Sequence, residues 1–129
     1  MVRKPSQHPT DAELAILQVL WTRGGCTVRD VHDVLEPTAG VGYTTVLKML
    51  QIMTDKGQVR RDETRRAHVY EASLSREQTQ RGLVGDLLSR AFEGSAARLA
   101  MQALDSGRAS PQEIAEIRQL LDSIEEDGS

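Results

Sequence analysis

The sequence predicts a mainly α-helical chain, with three helices and a short β-hairpin followed by three further helices. Three observations carry this prediction. Four Ser or Thr residues are each followed three positions later by an acidic or amide side chain, the capping-box pattern that satisfies open amides at a helix start. These pairs are Thr10/Glu13, Thr27/Asp30, Ser75/Gln78 and Ser110/Glu113. Downstream of them apolar residues recur every three or four positions, the period of a buried helix face. Glycine or proline stands where most of these runs stop.

The first helix is expected from Asp11 to about Thr22, with Leu14, Leu17 and Trp21 as its stripe, Ile16 and Leu20 beside them, and Gly24-Gly25 as its stop. The second, from Val28 to about Glu36, turns Val28, Val31 and Leu35 inward, and Pro37 is expected to end it. The third runs from Tyr43 to about Lys56 with Val46, Met49, Leu50 and Met53 on one face and Gly57 at its end. Gln58–Asp62 and Ala67–Ala72 flank the polar stretch Glu63-Thr64-Arg65-Arg66 and read as a hairpin, although their alternation is weak. Helical periodicity returns at Arg76, breaks at Gly94-Ser95 and again at Asp105-Ser106-Gly107, and resumes from Pro111 to Glu126. Pro111 sits at a first helical position, where its missing amide costs nothing.

Helix, helix, helix, hairpin is the order of a winged helix-turn-helix, expected here over residues 10–74 with residues 1–9 as a flexible N-terminus. Residues 75–126 are expected as a three-helix unit, with 127–129 as a flexible tail. In that unit Leu83, Val84, Leu87, Leu88, Phe92, Leu99, Leu104, Ile114, Ile117, Leu121 and Ile124 mark apolar faces around a single aromatic residue. Such a core is thin for a free-standing unit, so these faces are expected to pair with a second copy, giving a homodimer.

Composition mostly excludes. The chain has 129 residues, 39% hydrophobic and 27% charged, which is ordinary for a globular protein and argues against disorder as its main state. The longest apolar run, Leu14-Ala15-Ile16-Leu17, is far short of a membrane span, and the basic N-terminus lacks the apolar stretch of a signal peptide, so a cytoplasmic protein without membrane insertion is expected. One cysteine, Cys26, cannot close an internal disulfide, and His8, His32 and His68 are too scattered for a zinc motif, so no metal or other cofactor is expected. No phosphate loop, nucleophile elbow or HExxH motif is present, so catalysis is not expected.

A net charge of −3 argues against a protein that is basic throughout. The distribution is uneven. Residues 1–75 carry ten Lys/Arg against nine Asp/Glu, and residues 76–129 carry six against ten. Lys48, Lys56, Arg60, Arg61, Arg65 and Arg66 concentrate within 48–70 against Asp55, Asp62 and Glu63, the footprint of a phosphate-binding surface or of a solvated charged hairpin. On the third helix, Thr44, Lys48, Gln51 and Asp55 face away from the apolar stripe, with Thr45, Leu47 and Ile52 at the flanks. A helix with a short polar face fits the major groove of DNA, and its N-terminal half usually enters. Thr44 and Lys48 lie there. Arg65 and Arg66, at the hairpin turn, can reach a phosphate or a minor groove, whereas Arg60 and Arg61 point to opposite strand faces. Tyr43 can pack under the helix or bond a phosphate.

In order and spacing, Glu13-Leu14-Ala15-Ile16-Leu17-Gln18-Val19-Leu20-Trp21, Thr27-Val28-Arg29-Asp30-Val31, Tyr43-Thr44-Thr45-Val46, Lys56-Gly57, Arg66-Ala67-His68-Val69-Tyr70, Phe92-Glu93-Gly94-Ser95 and Ser110-Pro111-Gln112-Glu113-Ile114 resemble the penicillinase-repressor and methicillin-resistance-repressor family of winged-helix transcriptional regulators. The family also includes copper-responsive repressors. The resemblance implies a homodimer that represses transcription from a palindromic double-stranded DNA operator, with C-terminal helices intertwined as the dimerisation domain. It places DNA contacts on Thr44, Thr45, Lys48, Arg65 and Arg66, to which the polar face of the third helix and its start add Gln51 and Tyr43 as expected contacts. It also implies derepression by cleavage downstream of a membrane sensor peptidase, as in the antibiotic-resistance regulators. Three departures stand out. Ile52 occupies a position where the family often has Arg, Gln102-Ala103 aligns with the Asn-Phe pair cut in antibiotic-sensing members, and the C-terminal cysteines of copper-responsive members are absent. The rival readings are a winged helix used for protein–protein interaction and a small-molecule or metal sensor, for which the sequence offers neither cavity nor ligand cluster.

Overall fold

The computed structural model describes residues 8–128, so most of the expected flexible N-terminus and the last residue of the expected tail lie outside the described residues. The elements are α1 (Asp11–Arg23), α2 (Val28–Ala39), α3 (Tyr43–Asp55), β1 (Val59–Asp62), β2 (Val69–Ala72), α4 (Arg76–Ala91), α5 (Ala96–Asp105) and α6 (Pro111–Gly128). Among the described residues no helix is long and apolar enough to cross a membrane. All four capping boxes form, each with reciprocal hydrogen bonds between the Ser/Thr and its partner. A fifth cap, which the sequence pattern did not reveal, is Ser95, whose hydroxyl accepts from the Arg98 amide.

Two helix ends differ from expectation. Pro37 does not stop α2, which continues to Ala39. In the last turn a proline forfeits only one intrahelical bond. That turn is then closed by Gly40, whose left-handed φ of 64° lets its amide donate to Glu36 O at 2.9 Å. At the other end of the chain α6 runs to Gly128, two residues beyond Glu126.

The chain divides into two compact units, one through Leu83 and the other from Val84. The core of the first is Ile16, Leu17, Val19, Leu20, Cys26, Val28, Val31, Val46, Leu50, Met53, Val59 and Tyr70. On α1 the buried arc is centred on Ile16 and Leu20 rather than on the expected Leu14-Leu17-Trp21 line, because the helix packs against both α2 and β2. Leu14 and Trp21 fall at its margins, half-buried. The Trp21 indole N–H donates to Leu74 O at 2.9 Å, with the Arg76 guanidinium 5.7 Å from the ring centre. In the second unit no described residue is buried. Val84, Leu87, Leu104, Ile114, Leu121 and Ile124 are exposed, and Leu88, Phe92, Leu99 and Ile117 are half-buried. Leu83, the last residue of the first unit, is half-buried as well.

The hairpin is shorter than expected, with the register Val59↔Ala72, Arg60↔Glu71, Arg61↔Tyr70 and Asp62↔Val69. Ala67 and His68 belong to its loop. Asp62 organises the start of that loop by accepting from the Thr64 amide and hydroxyl, at 2.9 and 2.7 Å. The wing is fixed to the body by an isolated antiparallel bridge in which Cys26 N donates to Tyr70 O (3.0 Å) and Tyr70 N to Cys26 O (2.7 Å). Gly25 permits this approach, since a Cβ there would lie 2.8 Å from Val69 Cγ1.

A second tie joins α1 to the end of α3. Glu13, in the first turn of α1, is buried, and its carboxylate accepts from Lys56 Nζ (2.8 Å), the Thr10 amide (3.0 Å) and Gln58 Nε2 (3.3 Å). Burial pushes the carboxyl pKa up, but the hydrogen bonds from Lys56, Thr10 and Gln58 outweigh it and hold the pKa below its ordinary value. The unfolded chain therefore takes up this proton more readily than the folded one. The resulting stabilisation is full above the unfolded value of about 4.3 and is lost as pH falls through the lower folded value.

Two outcomes follow from these ties. Gly25→Ala should lower unfolding stability by about 1–3 kcal/mol, the usual range for overpacking against a stiff β-branched neighbour, measured by urea denaturation. Glu13→Gln should cost about 1–3 kcal/mol at pH 7, as expected for hydrogen bonds to a charged group. Its urea midpoint should converge with that of the unsubstituted protein as pH is lowered from 5 towards 3.

Candidate nucleic-acid interface

The inner face of α3 is held by Val46, Leu50 and Met53, with Leu47 and Met49 half-buried beside them. This packing fixes which side chains face outward. Thr44, Thr45, Lys48, Gln51, Ile52 and Asp55 are all exposed. The helix begins at Gly42, which has no side chain to cap it, and its first turn holds no acidic residue. Its first amides therefore present an uncompensated positive end, favourable to an anion. This contrasts with α2, where Asp30 occupies the corresponding turn.

Cations in and around the wing fall into two groups. Arg60 pairs with Glu71 at 3.5 Å, Arg61 pairs with Glu63, and Lys56 pairs with Glu13. Hydrogen bonds to Tyr70 and to Glu63 raise the Arg61 pKa further above its already high value. Lys48, Arg65 and Arg66 form no ion pair among the described residues, and all three are exposed. Arg65 and Arg66 stand on the loop between β1 and β2. The sequence-predicted contacts are thus brought to two places, the outer face of α3 and the wing tip.

A cleft of about 420 Å³ lies between them, lined by Thr27, Val28, Arg29, Tyr43, Leu47, Arg66, Ala67, His68 and Tyr70. Tyr43 is 44% exposed, so it does not pack under α3. Its ring lies edge-on to His32, with centroids 6.1 Å apart, and 5.7 Å from the Arg29 guanidinium carbon. Arg29 joins the candidate site although it lies outside the charge cluster of residues 48–70. The signal was its place two positions after the Thr27 cap, in the first turn of α2. Gln102 and Ala103 lie exposed within α5.

Residues 9–123 match the penicillinase repressor family. The transcriptional regulator BlaI of Mycobacterium tuberculosis is 34% identical over 92 residues, covering 70% of this chain and 67% of that protein. The penicillinase repressor of Bacillus licheniformis is 24% identical over 113 residues, 88% of each chain. Among solved structures, the DNA-binding domain of the repressor BlaI covers 57% of this chain and 90% of its own, with a TM-score of 0.50 and 24% identity, a likeness of fold. These curated relatives are transcriptional regulators rather than enzymes. With the family match extending over most of its length, the chain belongs to the penicillinase repressor family of transcriptional regulators.

Proposed function

We propose that the protein is a homodimeric repressor that binds a palindromic operator in double-stranded DNA, with α3 in the major groove and the wing on the backbone. The observation that carries this reading is the sorting of the cations. Lys56, Arg60 and Arg61 are neutralised by Glu13, Glu71 and Glu63, while Lys48, Arg65 and Arg66 form no ion pair among the described residues, on surfaces where a helix-turn-helix meets DNA. Thr44, Thr45 and Gln51 can hydrogen-bond base edges, and Lys48 can donate to guanine acceptors or to phosphate. Tyr43 and the neighbouring Arg29 flank the entry of α3 and fit a backbone phosphate. The names of the relatives, a penicillinase repressor and a DNA-binding domain of a repressor, agree with this reading.

Dimerisation is supported by the absence of any buried residue among the described residues of the second unit. Three amphipathic helices hold exposed or half-buried apolar faces, and a second copy would cover them. Two linked winged helices bind two half-sites as one event, so a monomer loses most of its affinity. Release by a membrane sensor peptidase fits the same scheme, because a cut in α5 near Gln102 and Ala103 would sever α6 from α4 and break the paired surface.

Gel-shift titrations against the DNA upstream of the gene should show sequence-specific binding that weakens steeply with salt. Lys48→Ala should cost about 1–3 kcal/mol of specific binding, and Arg65→Ala and Arg66→Ala should weaken binding evenly across sequences and reduce the salt slope by about 1 each. A flat response to sequence and salt would refute the reading. Light scattering should give about twice the 14.3 kDa chain mass, and Leu121→Asp should return it to the monomer.

A further inference from the structure

The cleft between the start of α3 and the wing loop gathers cationic and proton-binding groups from three elements. Arg29 comes from the first turn of α2, Tyr43 opens α3, and Arg66 and His68 stand on the loop between β1 and β2. No Asp or Glu is among the residues lining it. Arg29, Arg66 and His68 form no ion pair among the described residues. His68 is exposed, whereas Tyr70, the remaining titratable group of the lining, is buried and hydrogen-bonded by Arg61. An anion entering the cleft therefore meets two guanidinium groups and one imidazole, with no carboxylate in the lining to compete for them.

The two arginines are charged at every working pH, whereas histidine is the side chain that gains or loses its charge between about pH 5 and 8. A neutral imidazole offers a phosphate one N–H; an imidazolium offers two and a full charge. The phosphate is the counter-ion that the lining does not itself supply, so proton and phosphate each favour the binding of the other, and by the same factor. We propose that His68 is a further DNA-backbone contact and that it holds its phosphate as the imidazolium, so that the protein binds its operator more tightly as pH falls from 8 to 6. The inference rests on the DNA-binding reading above and adds to it a residue and a direction of regulation. The other histidines stand elsewhere. His8 lies beside Gly82 of α4, and His32 has Asp33 for a partner, Nδ1 to Oδ1 at 3.1 Å. Because the His32 ring also meets the Tyr43 ring edge-on, it is the group from which His68 has to be told apart.

The full-length protein is titrated into the duplex that the gel shifts select, followed by fluorescence anisotropy at constant ionic strength from pH 8 to pH 6. Affinity should rise about tenfold over that range, the size of one hydrogen bond made by a charged group. The slope of log K against log salt should be steeper by about 1 at pH 6, as for one added phosphate contact. His68→Gln should flatten the pH response and remove the extra slope. His68→Lys, charged throughout, should flatten it too but bind at pH 8 about as tightly as the unsubstituted protein does at pH 6. His8→Gln and His32→Gln should keep the response. Specific, salt-dependent binding that does not change with pH, or a response that survives His68→Gln, would overturn the inference and leave the repressor reading standing, whereas no specific binding at any pH would remove both. The pH series on the unsubstituted protein can refute the inference even if a variant folds poorly.

Discussion

Where the wing stands is decided by Tyr70. Two strands of four residues cannot hold themselves together in water, and in this hairpin the buried side chains are Val59 on one strand and Tyr70 on the other. Tyr70 is almost wholly enclosed, and its backbone exchanges both hydrogen bonds with Cys26 in the turn between α1 and α2. That bridge gives the hairpin a third contact line. It needs a small, inert side chain at 26 and none at 25. Burial pushes the Cys26 thiol pKa up, so the residue stays protonated and packs as a small hydrophobe, while Gly25 leaves room for Val69. The placement of Arg65 and Arg66 relative to α3 descends from these contacts.

Electrostatics then distinguishes structure from surface. A cation already in an ion pair must give up that partner before it can neutralise a phosphate, whereas an unpaired, hydrated cation exchanges only water and counterions. Lys56, Arg60 and Arg61 are of the first kind, and Lys48, Arg65 and Arg66, which form no ion pair among the described residues, are closer to the second. Charge counting along the sequence weighs all six alike. Three of them serve to hold the α1–α3 junction and the wing in shape, and the surface left for a partner is smaller and better aimed than the raw count implies.

Local signals in the chain were legible because local physics produced them. The capping boxes involve residues three apart, and every one forms as the sequence suggests. The inward face of α3 and its stop at Gly57 were read from spacing alone. What escaped depends on distant partners. Glu13 looks like an exposed capping residue until Lys56 and Gln58, more than forty positions away, close over it. The buried arc of α1 is displaced from its apparent stripe because two elements pack against that helix, and Arg29 gains its setting only when α3 brings Tyr43 beside it. The length of α2 departs from expectation for a different reason: a proline in a last turn forfeits one bond, a cost readily offset by a glycine cap.

The second unit poses the opposite problem, regular structure without a core. Isolated helices shorter than about 12–15 residues are marginal in water, and α5 has ten residues. Helices of this kind persist when an apolar face is covered, yet no described side chain from Val84 onward is buried. A second copy of the unit, as proposed above, offers a matching apolar face. The acidity of residues 76–129 gives the same arrangement a direction. In the dimer proposed above, the acidity of this unit is repelled by a phosphate backbone while the cations of the wing tip are drawn to it.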